Sequence, residues 1–246
     1  MIACVFAGQG SQYVGMGSQL AASSEAARKV YAEAADVLGL DLTTLDDTML
    51  SQTRYAQLAI VTLSLAAHAA LKAEGALQGP VAFAGFSLGE YSALAASGVL
   101  SLRDVLRLVE ERSRLMQLAS EQNPGAMYAI LGLDDATVES TLSQAAFQHE
   151  VFPVNYNCPG QLVIAGSVDA TAAAADALKA AGAKRAMKLA VSGAFHTRLM
   201  APAAPGLSQF ASQLTFLPPT GLLFSNRTGQ AIAPDLNWPD YLADHL

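Results

Sequence analysis

The stretch VAFAGFSLGEYSAL, residues 81–94, decides the fold. Val81 to Gly85 is a short apolar run that reads as a strand, and SLGEYSALAASG after it has helical content and closes on Gly98. Ser87 therefore falls at a strand-to-helix turn, inside a strict G-x-S-x-G. A nucleophile elbow needs such a turn to push the serine hydroxyl out of the sheet. It also needs glycines so that the turn packs closely, and a helix N-terminus behind the serine. In that arrangement the N–H of Leu88 and the helix end would stabilise an oxyanion formed when Ser87 attacks a carbonyl. A serine merely buried in a turn is the competing reading; the flanking strand and helix favour the nucleophile.

Outward from this turn, IACVFAG at the N-terminus reads as a second buried strand, which delivers Gln9 to the loop GQGSQYVGMG. Ser23 to Leu38 reads as an amphipathic helix ended by Gly39. The polar run LDLTTLDDTMLSQTRYAQ follows, then a buried helix over Leu58–Leu71, too short for a membrane span and interrupted by Thr62, Ser64 and His68. Residues 102–119 predict another helix, with Val105, Leu108, Val109, Leu115 and Met116 at helical spacing. On pattern alone Arg103, Arg107, Arg112 and Arg114 are surface arginines of that helix.

From Ala126 the rhythm changes. AMYAILGL, DDATVESTLSQAAF, VFPVNYN, QLVIAGS, DATAAAADALKAAG and AKRAMKLAVS read as β-α-β-β-α-β. That order predicts a ferredoxin-like subdomain over residues 125–190, an antiparallel sheet with helices on one face, inserted into an α/β core of residues 1–124 and 191–246. The chain returns through GAFHTRLM, a helix near 200–213 and the strand-like TGLLFSNRTG.

Composition sets the outer bounds. The 246 residues are 52% hydrophobic and 14% charged, enough for a large core and too apolar for a disordered tail. A formal charge of -7 with no basic run argues against nucleic acid as a partner. Two cysteines, Cys4 and Cys158, give neither a disulfide framework nor a metal spacing, and with no basic leader the expected compartment is the cytoplasm. No metal site is expected.

A serine nucleophile needs a base, and there are four histidines. His68 sits in an apolar helix and reads as packing. His149 lies in a polar turn, and His245 stands beside the end of the sequence, where fraying is expected. His196, in the loop VSGAFHT directly after a strand, is the best placed. No Asp or Glu motif completes a triad.

Taken together, GQGSQ, GFSLGEYSAL, ERSRLMQ, NYNCPGQLVIAG and VSGAFH, in this order, resemble the malonyl-CoA:acyl carrier protein transacylase family of fatty acid and polyketide synthesis. The likeness runs through nearly the whole chain. It implies an α/β-hydrolase-like core with a mostly parallel sheet and a ferredoxin-like insertion. It also implies Ser87 as the acylated serine, His196 as its base, and Gln9 with the Leu88 N–H as the oxyanion hole. Arg112 resembles the arginine that grips the malonyl carboxylate. The physics agrees, because a planar guanidinium can hold both carboxylate oxygens in a dry pocket, whereas an acetyl group would leave it unpaired.

Phe195 resembles the aromatic of malonyl-preferring members, filling space that an α-methyl branch would need. Asn155 and Asn157 are candidates for contacts to pantetheine or acyl carbonyls, or for turn caps. Lys184 and Arg185 resemble the pair that docks the acidic carrier, with Lys188 and Arg198 nearby; a solvated charge cluster is the plain alternative. The resemblance implies malonyl-CoA as substrate, the carrier's 4'-phosphopantetheine as acceptor, no bound cofactor, no membrane partner and a monomer.

Two departures from the family stand out. Phe86 replaces the histidine that usually precedes the nucleophile. Family members also continue past the segment resembling NWPDYLADHL into another strand, a Gly-Pro-Gly turn and helices, so a sheet edge and part of a pocket wall are expected to be missing. His245 falls where the family has a glutamine whose backbone carbonyl orients the catalytic histidine, and is a candidate for that support. Two other functions fit the same residues less well. One is a serine thioesterase or hydrolase, although the HGGG-type oxyanion loop is absent. The other is a non-catalytic or subunit role, binding acyl-CoA or carrier, as in transferase subunits of malonate decarboxylase.

Overall fold

Strand β1 (Ile2–Phe6) runs parallel to β2 (Val81–Gly85), with Phe6 opposite Gly85. The computed structural model describes residues 1–191, 193–233 and 235–246. They divide into two units, Met1–Arg114 with Leu207–His245, and Leu115–Gly206 with Leu246.

In the first unit, α1 (Ser18–Ser23) precedes α2 (Glu25–Leu38). The predicted helix thus starts two residues late, because the Ser24 hydroxyl caps it by accepting from the N–H of Ala27 at 3.3 Å. Gly39, at φ 63°, ends it in the left-handed conformation. The polar run conceals more structure than its composition suggests. Asp46 caps α3 (Asp47–Leu50), and α4 (Thr53–Ala73) begins five residues before the predicted start. By length and composition α4 could cross a membrane, but 56% of its apolar window is buried inside the protein, as for a core helix. His68 is half-buried on α4, its ring edge-on between Phe6 and Phe83, and burial lowers its pKa.

Helix α5 (Gly89–Ala96) follows β2, and α6 (Leu102–Gln122) starts in a reciprocal cap: Ser101 Oγ accepts from the Asp104 N–H and donates to its carboxylate.

The second unit holds β3 (Gly125–Leu131), α7 (Asp135–Leu142), β4 (Val151–Cys158), β5 (Gln161–Ser167), α8 (Val168–Ala180) and β6 (Arg185–Lys188). The sheet order is β4-β5-β3-β6 and every neighbouring pair is antiparallel. Ile130, Leu162 and Ile164 from the strands and Val138, Leu142, Ala174 and Leu178 from the helices share one buried core. Two predicted elements are shorter than expected. The first helix stops at Leu142, after which the chain turns so that Val151 N–H can bond Phe147 O at 3.0 Å. The last strand keeps only Arg185–Lys188, where β3 offers partners. Ser192, at the end of that predicted strand, lies outside the described residues.

After a 3-10 turn (Arg198–Ala203), α9 (Ala204–Ala211) leads back to the first unit, where β7 (Leu222–Leu223) and α10 (Trp238–Asp244) complete it. Among the described residues its sheet has three parallel strands, in the order β1-β2-β7. The predicted strand over 220–229 shrinks to two residues because the Ser225 hydroxyl accepts from the N–H groups of Arg227 and Thr228, making a turn.

Candidate active site

The elbow is built by close approach of backbone. A Cβ on Gly85 would fall on the backbone of Gly89 and Glu90, and one on Gly89 would fall on the carbonyl of Phe6. Only glycine fits either position. Between them Ser87 sits at φ 48°, a left-handed conformation that costs a non-glycine residue about 1–3 kcal/mol and persists only where the surroundings enforce it. Phe86 anchors the turn by donating its N–H to Phe6 O at 3.0 Å; its ring is half exposed and lies against Gly8.

Because Phe6 stands opposite Gly85, Gln9 and Ser87 leave the carboxyl ends of neighbouring parallel strands, where open α/β sheets bind ligands. The Gln9 carboxamide is held from the start of α4: Gln57 Nε2 donates to Gln9 Oε1 at 3.2 Å, and Gln9 Nε2 donates to Thr53 Oγ1 at 3.4 Å. Leu88 is buried at the N-cap of α5, behind Ser87.

Arg112 is the largest fully buried side chain, 1% exposed, and so is not the surface arginine its helix pattern predicts. Arg103 and Arg114 do fill that role, paired on the outside of the helix with Asp36 and Glu111. The Arg112 guanidinium carbon lies 5.0 Å from the centre of the Tyr91 ring, and its Nε has no hydrogen-bond partner among the described residues. Burial lowers its pKa, while Tyr91 and Glu90 oppose that shift.

Glu90, also fully buried, is a residue the sequence reading passed over. Burial raises its carboxyl pKa to about 7 against the hydrogen bonds from Tyr241 and the Asn226 backbone and the nearby charge of Arg112. Tyr241 donates to Glu90 Oε1 at 2.5 Å and lies 2.7 Å from Ser225 Oγ. Asn226 was missed as well. Its Oδ1 accepts the Ser87 N–H at 3.0 Å, and its Nδ2 faces His245 Nε2 at 3.1 Å.

His245 corrects an expectation. Instead of fraying it is 4% exposed, stacked near Tyr91 and Tyr241, with Nε2 3.4 Å from Glu90 Oε2. The first unit thus gathers Ser87, Leu88, Gln9, Arg112 and His245.

The other expected residues lie in the second unit. His196 sits at φ 61° with its N–H bonded to Leu246 O at 2.9 Å, and Phe195 beside it is buried. Asn155 is half-buried and Asn157 exposed, both on the edge strand β4. Lys184, Arg185 and Lys188 are exposed on or beside the opposite edge, β6; Arg198 pairs with Glu150 at 3.2 Å. Among the described residues no cluster of three metal-ligating side chains occurs.

A parallel sheet carrying a strained serine on a glycine-flanked strand-to-helix turn defines an α/β protein of the serine-elbow class. The chain belongs to the acyl transferase domain family, whose model matches residues 3–230. It is 45% identical over 228 residues to the malonyl CoA-acyl carrier protein transacylase of Escherichia coli K12, covering 91% of this chain and 74% of that protein. The Bacillus subtilis protein of the same name is 40% identical over 213 residues, covering 85% and 67%. Among solved structures, an acyl carrier protein S-malonyltransferase from Vibrio cholerae superposes with a TM-score of 0.92 at 41% identity, covering 100% of this chain and 81% of the other. A malonyl-transacylase solved in complex with its type II polyketide synthase acyl-carrier protein gives 0.93 at 40% identity, covering 100% and 80%.

Proposed function

We propose that this protein is an acyltransferase that moves a malonyl group from malonyl-CoA to the phosphopantetheine thiol of an acyl carrier protein. The observation that carries the reading is the pairing, in one unit, of a serine elbow with a buried arginine whose Nε lacks a hydrogen-bond partner among the described residues. A buried cation needs an anion, and the free carboxylate of a malonyl thioester supplies one. An arginine also matches its planar, two-oxygen geometry.

In the first half-reaction Ser87 Oγ attacks the thioester carbonyl and its proton passes to His196. The oxyanion is held by the Leu88 N–H and Gln9. The carbon–sulfur bond then breaks, and CoA leaves as the thiol with the proton returned by His196. The second half-reaction reverses these steps with the carrier thiol as nucleophile. His196 is assigned from the motif, and the hydrogen bond that pins its backbone is consistent with a positioned base. Phe195 would restrict α-branched acyl groups. His245 would support the site through its side chain as well as its backbone.

The strand order β4-β5-β3-β6 supports reading residues 125–190 as a ferredoxin-like subdomain, and the parallel sheet with its elbow supports an α/β-hydrolase-like core over 1–124 and 191–246. Exposed Lys184 and Arg185 support docking of an acidic carrier, with Asn155 and Asn157 available to pantetheine. Two free cysteines are in keeping with a cytoplasmic reaction. The same reading takes the enzyme as a monomer that serves fatty acid or polyketide synthesis.

The test is intact mass after mixing with malonyl-CoA. A malonyl adduct on the wild type that is absent from Ser87→Ala is expected; no adduct on the wild type refutes the transfer.

A further inference from the structure

The hydroxyl of Ser225 already caps the turn formed by SNRTG, which leaves the Asn226 side chain free of local work. It reaches instead across 139 positions of sequence to the Ser87 N–H. Only Oδ1 of a carboxamide can accept that hydrogen bond, so the orientation of Asn226 is fixed and Nδ2 faces His245 Nε2 at 3.1 Å.

The backbone of Asn226 is held too. Its N–H donates to Glu90 Oε2 at 3.3 Å, while Tyr241 holds the other oxygen of Glu90. Glu90 in turn donates its own N–H to Ser87 O at 3.0 Å. A closed ring results: Ser87 amide to Asn226 side chain, Asn226 amide to Glu90 side chain, Glu90 amide to Ser87 carbonyl. The ring encloses the residue with the strained backbone.

We infer that Asn226 is the positioning residue of the nucleophile turn, its carboxamide clamping the Ser87 amide and so fixing the direction of the serine hydroxyl. The inference rests on the reading of Ser87 as the acylated residue. It also assigns the Ser87 N–H to Asn226, so oxyanion donors must come from the following amide and from the loop after β1. Asn226 itself touches no reacting atom.

Two readouts test this in Asn226→Ala and Asn226→Asp, the second retaining the acceptor. One is the labelling rate of Ser87 by a small fluorophosphonate, which needs no acyl specificity. The other is malonyl transfer, resolved into kcat and KM. Asn226→Ala should lower labelling and kcat together by about 10- to 100-fold, the scale of a misplaced reactive group, with KM for malonyl-CoA little changed. Asn226→Asp should recover most of the labelling.

Labelling near the wild-type rate in folded Asn226→Ala overturns the inference, as does an equal loss in both variants. If Asn226→Ala does not fold, Asn226→Asp decides: near wild-type labelling supports the clamp, and a loss of tenfold or more at unchanged Tm overturns it. A wild type that takes the fluorophosphonate but no malonyl group refutes the transferase reading alone and leaves this comparison intact.

Discussion

Arg112 and Tyr91 form a buried cation–π pair, the guanidinium carbon 5.0 Å from the ring centre, and the arginine Nε remains without a hydrogen-bond partner among the described residues. The ring supports the charge from one side and leaves Nε unsatisfied. On the proposed reading, that Nε is where a planar anion would bind.

Arg112→Ala should therefore lower kcat/KM for malonyl-CoA by about 10- to 100-fold, as expected when a charged hydrogen bond is lost. Acceptance of acetyl-CoA should rise at the same time. Competition between the two thioesters measures both; unchanged selectivity rules out the assignment.

Glu90 makes stability depend on pH. A carboxyl whose pKa is raised to about 7 in the fold, from an ordinary value near 4.5, binds its proton more tightly folded than unfolded. The resulting stabilisation is full below about pH 4.5 and lost as pH rises through about 7, amounting to about 3 kcal/mol. The Tm advantage of the wild type over Glu90→Gln should shrink between pH 5 and pH 8 measurements. A constant difference would show that Glu90 does not titrate in this window.

Gly89→Ala would drive a methyl group into the Phe6 carbonyl, and backbone cannot yield as a side chain can. Overpacking of this kind costs about 1–3 kcal/mol or more, so Tm should fall by roughly 5–10 °C and Ser87 labelling should fall with it. Wild-type Tm in this variant would mean that the elbow is more open than described.

Phe86→His should leave Tm within about 2 °C, since the ring is half exposed and surface changes usually stay within about 0.5 kcal/mol. Transfer assays on the same variant reveal what the family histidine contributes. A large loss of stability would instead make the ring's contact with Gly8 a structural requirement.

Acyl-enzyme partition separates transferase from hydrolase. With saturating carrier, carrier-bound malonyl should exceed free malonate, and the reverse would mean that water is the true acceptor.

The local features were legible because their causes are local. Gly85, Ser87 and Gly89 announce the elbow within five residues, and the alternation of elements after Ala126 announces the second sheet. Arg112 was legible too, in hindsight. It lies three and four residues after Val109 and Leu108 and four before Met116, on the buried stripe of α6, and only its charge argued for the surface. Asn226 and Glu90 were not legible, because their meaning lies in a contact between segments far apart in sequence. His245 misled for the same reason: its burial depends on Tyr91, Glu90 and Asn226, none of them a chain neighbour. The lengths of β6 and β7 depend on partners, and propensity alone overstates both.

The eight residues of α5, with the turn before them, carry the serine, the carboxylate that closes the ring around it and the aromatic under the arginine. A substitution anywhere in this short segment therefore reaches the serine turn and the surroundings of the buried arginine together, so the two are mechanically linked through a single helix.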